Sequence, residues 1–231
     1  MRQAGRISLD PRLSMIARLV GQCQCCADIG CDHGRLGAFL LQNEQCGHVV
    51  LSDISEPSLA KARSLCARLG LNDRVTFCVA DGIPAAARAP QVAVIAGMGG
   101  ATIVDILREG RERLGDARLI LQPNVAAPQL RAALSALGYA ISNERVVRDG
   151  RRCYVLIAAE SGKSDYGLKE RVVGPVLLRD MPPELMDYAR FRLRVTEKAL
   201  KGAAQGGDAE QRNALSEELG IWREVCACLQ R

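Results

Sequence analysis

The turn Asp28-Ile29-Gly30-Cys31-Asp32-His33-Gly34 gathers two carboxylates, an imidazole and two glycines. A short apolar run, residues 25–27, precedes it, and an apolar segment, 36–41, follows. Strand, glycine turn, helix is the setting of a nucleotide-binding turn. Gly30 lets the backbone turn sharply, and Gly34 is expected to keep the helix start close to a ligand. A turn built for pyrophosphate offers it free N–H groups at a helix end. Carboxylates repel phosphate, so Asp28 and Asp32 suit a ligand with an ammonium, a sulfonium or sugar hydroxyls. S-adenosylmethionine has all three, and the turn points to methyl transfer. The plain alternative is a tight β-to-α connection with no ligand.

Two more acids stand at matching places. Residues 48–51 read as a second strand ending at Ser52-Asp53-Ile54. Asp53 lies about 20 residues past the glycine turn, where an acid accepts from both ribose hydroxyls. Pro57 and the spacing of Leu59, Ala62 and Leu65 then start a helix. Residues 75–80 form a third strand, closed by Asp81-Gly82. Asp81 can accept from an exocyclic amine, and Gly82 leaves room for a flat adenine. Asp-Gly is also a common turn. Three acids at the carboxyl ends of three successive parallel strands lie where open α/β sheets bind ligands.

The remaining elements must position these groups. A fourth strand, 92–96, ends at Gly97-Met98-Gly99-Gly100, before a helical segment, 101–113. These glycines serve either close helix–strand packing or a wall thin enough for a planar base to reach a methyl group. A fifth strand, 118–121, leads into Gln122-Pro123-Asn124, and 125–137 reads as a helix. Residues 139–147 and 153–158 pair as a hairpin around Arg148-Asp149-Gly150-Arg151-Arg152. The pattern predicts an α/β fold: a doubly wound, mostly parallel, seven-stranded Rossmann-like methyltransferase sheet over residues 1–160. The tail, 161–231, differs in texture. Its polar start, 161–165, is read as a hinge. Met186, Ala189, Leu193, Thr196 and Leu200 form one helical stripe; Leu215, Leu219, Trp222, Cys226 and Leu229 form another. A turn over 201–207 joins them, with Asp208 as N-cap. Together they predict a small C-terminal helical hairpin, which either packs on the sheet or clamps a substrate with Arg190, Arg194 and Lys198.

With these residues set out, the chain resembles the bacterial tRNA (adenine-22-N1)-methyltransferase family. The likeness rests on the opening Ile7-Ser8-Leu9-Asp10-Pro11-Arg12-Leu13, the Asp28–Gly34 turn, Asp53, Asp81-Gly82-Ile83, Ala96-Gly97-Met98-Gly99-Gly100 and Leu121-Gln122-Pro123-Asn124. Arg131, Gly138-Tyr139 and Tyr154 fit as well. The resemblance implies a class I catalytic domain, S-adenosylmethionine as donor and a C-terminal coiled-coil-like domain. The family usually has Tyr and Pro where this chain has Arg35 and Gly37.

Composition agrees with an enzyme of this kind. The net charge is +5, and the excess lies in residues 1–160, which hold 19 basic and 15 acidic residues. Arg2, Arg6, Arg12 and Arg18 cluster before the first strand; Arg145, Arg148, Arg151 and Arg152 cluster at the hairpin. Such clusters are either solvated surface or phosphate contacts to a polyanion. Aromatics make up 3% of the chain, too few for stacking along a single strand. A folded tRNA read by shape fits better. The ten cysteines sit mostly in apolar segments as small hydrophobes, and no zinc set is completed. Cys31 is the exception, placed where a helix start would make its thiol acidic. With no long apolar run and no leader-like opening, the chain is expected to be cytoplasmic and monomeric, free of membrane and metal.

The expected reaction is mainly positioning. Adenine N1 has an in-plane lone pair and needs no nucleophile or metal. Asp28 and Asp32 are candidates to stabilise the cationic product, with Asp28 more suited to the donor's amino-acid end. His33 is the imidazole beside them, catalytic or a structural hydrogen bonder. Gln122 and Asn124 could bond the adenine edge, and Asn124 is counted with the catalytic set. Ala96, Gly97 and Met98 are expected to line the donor, Gly99 and Gly100 the base, and Arg151 and Arg152 the tRNA. The competing readings are a methyltransferase acting on a small molecule or protein, and a catalytically silent module that binds donor or RNA.

Overall fold

The computed structural model describes residues 5–85, 89–204, 206 and 208–230. Arg2 of the N-terminal cluster, and Gln205 and Gly207 of the expected turn, lie outside them. In chain order the elements are α1 (Pro11–Val20), β1 (Cys23–Ile29), α2 (Arg35–Gln42), β2 (Cys46–Asp53), α3 (Glu56–Leu69), β3 (Val75–Val79), β4 (Val92–Gly99), α4 (Gly100–Glu109), α5 (Arg111–Leu114), β5 (Arg118–Val125), α6 (Ala127–Ala136), β6 (Tyr139–Asp149) and β7 (Arg152–Ser161). Then come α7 (Leu168–Val173), α8 (Pro175–Asp180), α9 (Glu184–Ala203) and α10 (Ala209–Cys228).

The seven strands form one sheet in the order β3-β2-β1-β4-β5-β7-β6. The first five are parallel, and β7 runs against both β5 and β6. The doubly wound fold expected from the sequence is therefore observed. Helix α1 was not expected. Asp10 caps it, accepting from Leu13 N at 2.7 Å, and Pro11 fills its first turn, where a missing N–H costs nothing. Strands β4 and β5 also run further than predicted. Gly97-Met98-Gly99 and Gln122-Pro123-Asn124 lie within the sheet, with register shifts around Met98.

Each sheet face is covered. One apolar cluster joins Ile16 of α1, Leu40 of α2 and Leu59 of α3 to Leu51 and Val94. The other starts from Ile95, Ile103 and Leu130 and continues without a break through Val173, Leu177 and Tyr188 to Trp222 and Val225. The C-terminal helices thus share the sheet's core. A buried ion pair fastens them. Arg131 Nε donates to Glu144 Oε1 at 2.8 Å with both side chains wholly buried. Arg131 Nη1 donates to the carbonyls of Arg171 and Val172, and Glu144 Oε2 accepts from the Val176 and Leu177 amides that open α8.

The segment read as a hinge is pinned instead. Ser164 donates to Tyr139 O at 2.8 Å, and the Tyr166 hydroxyl accepts from Ile141 N at 2.7 Å. Helices α9 and α10 pack together around Glu218, which accepts from Arg192, Thr196 and Trp222. The buried residues of α9 include Leu185, Tyr188, Ala189 and Thr196. Met186, Leu193 and Leu200, expected in the stripe, are only partly covered, because the sheet as well as α10 covers this helix.

Candidate functional site

The site forms where β1, β2, β4 and β5 end. Asp28 closes β1 and is 5% exposed. No cation lies within ion-pair distance of it among the described residues. Burial raises its pKa to about 7; the Gly37 amide lowers it, Asp53 raises it, and Arg12 lowers it. A cleft of about 250 Å³ opens on it, lined by Arg12, Asp28, Gly30, Asp32, His33, Ala96 and Gly97 among others. A larger hollow of about 420 Å³ lies next door between α2 and α3, lined by His33, Arg35, Lys61 and Arg68.

Asp53 ends β2 and organises the turn. Its Oδ2 accepts from Asp32 N and its Oδ1 from Ser55 N, both at 2.9 Å. Asp32 takes a left-handed backbone, φ 49°, and its side chain is exposed. Ala80 N donates to Asp53 O, which sets the exposed Asp81 beside it, while Gly82 O accepts from Ser52. Ile54 is 69% exposed at the same edge, a bare apolar surface of the kind a flat ring covers. Asp28, Asp32, Asp53, Ile54, Asp81 and Gly82 thus share one rim.

Other expected residues take different places. Gly30 has φ 70°, and a Cβ there would collide with the Met98 methyl. Gly34 faces inward: a Cβ would meet Ala62 and Leu51, so it packs α2 on its neighbours rather than opening room for a ligand. Gly100 is similarly closed off by the carbonyls of Val125 and Ala126. Gly99 lies near Thr102 and Val125. His33 sits 3.1 Å from Lys61 Nζ and 3.4 Å from Asp32 Oδ1, leaning toward α3. Cys31 is buried, and burial followed by the charges of Asp28 and Asp53 pushes its thiol pKa up. The acidic thiol expected there is not found.

Gln122 is fully buried, and its side-chain amide is engaged within the protein. Its Oε1 accepts from Arg12 at 2.7 Å and from Gly97 N at 3.1 Å; its Nε2 donates to Asn124 Oδ1. Asn124 Nδ2 donates to Gly97 O at 2.7 Å. This frame holds the left-handed Gly97 (φ 79°) at the cleft. Asn124 is exposed and keeps an N–H and a lone pair for a substrate. Arg12 also lies over the Tyr154 ring at 5.7 Å. The sequence placed Arg12 in a charge cluster and in the opening motif of the resemblance but gave it no role at the site; its signal was the Asp10-Pro11 helix start, which aims the next residue at the sheet edge.

Because β7 runs against β5, the hairpin turn lies at this same edge. There Arg148 and Arg151 meet Phe191, Arg194, Val195 and Lys198 of α9 around a groove of about 430 Å³. Arg148 also pairs with Asp187 at 3.3 Å. Arg152 is exposed at the start of β7.

The sequence matches the family described as "Methyltransferase domain" over residues 9–157. A putative tRNA methyltransferase of Mycoplasma genitalium is 32% identical over 82% of this chain and 88% of that protein. The tRNA (adenine(22)-N(1))-methyltransferase of Bacillus subtilis is 29% identical over 95% of each chain. The chain belongs to the bacterial tRNA (adenine-22-N1)-methyltransferase family. A solved putative tRNA (m1A22) methyltransferase of Streptococcus pneumoniae, in complex with S-adenosyl-L-methionine, superposes with a TM-score of 0.84. It is 27% identical and covers 95% of this chain and 100% of that one. The two departures from this methyltransferase family's usual pattern have local explanations. Arg35 lines the cleft and donates to Ser8 O. The space beside Gly37 is filled by Leu51 and Val49.

Proposed function

We propose that this protein transfers the methyl group of S-adenosylmethionine to N1 of adenine 22 in tRNA. The observation that carries the donor is Asp28, a buried carboxyl group that lines the cleft and has no cation at ion-pair distance among the described residues. A carboxylate so placed calls for a positive group from outside. When bound, the donor supplies an electrophilic methyl on a sulfonium. Asp28 holds the donor's ammonium. Asp53 takes the ribose hydroxyls on lone pairs left over from its two amide bonds. Asp81, Gly82 and Ile54 frame the adenine end, and Gly30, Ala96, Gly97 and Met98 wall the middle. Asp32 lends negative charge at the mouth, where cationic product develops.

Asn124 orients the target base, with its free amide N–H and lone pair on the adenine edge. Gln122 and Arg12 act behind it as positioning residues. Adenine 22 must leave its stack to arrive there. Arg151, Arg194 and Lys198 grip tRNA phosphates at the same sheet edge, and Arg152 extends that surface. In this reading the protein acts as a monomer, in the cytoplasm where tRNA is. Among the described residues no helix is long and apolar enough to cross a membrane.

The test is to incubate the protein with donor and unmodified bacterial tRNA and map methylated adenines by primer-extension stops. A stop at adenine 22, lost when that base is changed, is expected. Methylation elsewhere, or turnover of a free nucleoside with tRNA untouched, overturns the assignment.

A further inference from the structure

At the opposite end of the sheet, three cysteines meet. Cys23 and Cys46 are paired in register at the amino ends of the parallel strands β1 and β2. Their sulfurs lie 2.9 Å apart. Cys26 lies close enough to shift the Cys23 thiol as well. Cys23 is half-buried, whereas Cys46 is 1% and Cys26 0% exposed. Neighbouring strands lie about 4.7–4.9 Å apart, inside the roughly 4.4–6.8 Å Cα range a disulfide spans. A reachable sulfur beside a sheltered partner is the arrangement of a peroxide-sensitive dithiol.

We propose that Cys23 and Cys46 form a reversible disulfide when the protein meets a hydroperoxide. The Cys23 thiolate attacks one peroxide oxygen and the O–O bond breaks. A sulfenic acid forms, and the departing hydroxide takes a proton to become water. The Cys46 sulfur then attacks the Cys23 sulfur, the S–O bond breaks, and the Cys46 proton leaves with that oxygen as a second water. Two electrons pass from the thiol pair to the peroxide. A cellular dithiol reductant reverses the bond by thiol–disulfide exchange.

The surroundings favour this order of events. Hydrogen bonds from Cys26 and then Cys46 bring the Cys23 pKa down to about 4; burial opposes them, and Arg118 assists. Cys46 is shifted the other way, up to about 12, chiefly by its bond to Cys23. Cys23 is therefore the attacking sulfur and Cys46 the resolving one. The bridge joins the starts of two strands whose far ends carry Asp28 and Asp53, so it forms away from the donor cleft.

The test uses the full chain, reduced, then exposed to stoichiometric hydrogen peroxide, alkylated and mapped by mass spectrometry. Loss of two hydrogen atoms, confined to a Cys23–Cys46 cross-linked peptide and undone by dithiothreitol, is expected. The bridge should form about tenfold faster than the exposed Cys228 oxidises, since reactivity follows thiolate content. Cys46→Ser should abolish the bridge and leave a Cys23 sulfenic acid that dimedone traps. A bridge between Cys23 and Cys26, oxidation beginning at Cys228, or no loss of hydrogen overturns the proposal. The wild-type map decides this even if the serine variant folds poorly.

Discussion

Burial lifts the Asp28 carboxyl to a pKa of about 7, against roughly 3.9 in an unfolded chain. An acid raised in this way contributes stability that is fully present below the unfolded value and lost as pH rises through about 7. Binding a donor ammonium asks for the opposite form, the carboxylate. Donor affinity should therefore strengthen as pH rises from 6 to 8, with proton release near pH 7. Calorimetry in buffers of different ionisation enthalpy reads both. Asp28→Asn should bind weakly at every pH; an affinity flat with pH in the wild type removes Asp28 from the ammonium. Asp53→Ala should weaken donor binding by about 1–3 kcal/mol, as loss of charge-assisted hydrogen bonds does. Gly30→Ala should also impair binding, and adding Met98→Ala should restore part of it by clearing the collision. The rim acids were legible in the sequence because each stands at or just past a strand end, at a turn. The place of Gln122 was not, since its partner Arg12 lies 110 residues away and no local pattern announces that pairing. Cys31 misled for a related reason: nearness to a helix start is local, but burial beside two acids is not.

At the scale of elements, the Arg131–Glu144 pair links α6 and β6 to α7 and α8. Removing one partner of a buried pair costs about 3–5 kcal/mol, and Arg131→Ala should lose stability of that order in urea unfolding. Replacing both residues by apolar ones often restores an isolated pair. Here the double variant Arg131→Met, Glu144→Leu should stay destabilised, because the Val176 and Leu177 amides would lose their acceptor. Full recovery would show those amides to be satisfied otherwise. Strands and most helices could be read from periodicity. Helix α1 escaped because its signal is a cap and a proline rather than a stripe. The buried face of α9 differed from the expected stripe because Leu185 and Tyr188 meet a continuous core, which a two-helix hairpin considered alone does not contain.

For the molecule as a whole, the basic groove between the hairpin turn and α9 predicts a separation of effects. Arg151→Glu with Arg194→Glu should raise the tRNA KM and leave donor affinity unchanged, and activity should fall steeply with salt. A flat salt response would favour a small-molecule substrate. Truncation after Glu160 should give an insoluble product, since it strips Val173, Leu177, Tyr188 and Trp222 from the shared cluster; a soluble, donor-binding fragment would show that the sheet stands alone.

That shared cluster also bears on how the protein is made. Synthesis runs from the N-terminus, so the sheet strands leave the ribosome well before Trp222 and Val225. The face built on Ile95, Ile103 and Leu130 waits uncovered while the last helices are translated. A stalled nascent chain ending near residue 160 should therefore remain protease-sensitive on that face, and resistance should arrive only when α10 has cleared the exit tunnel.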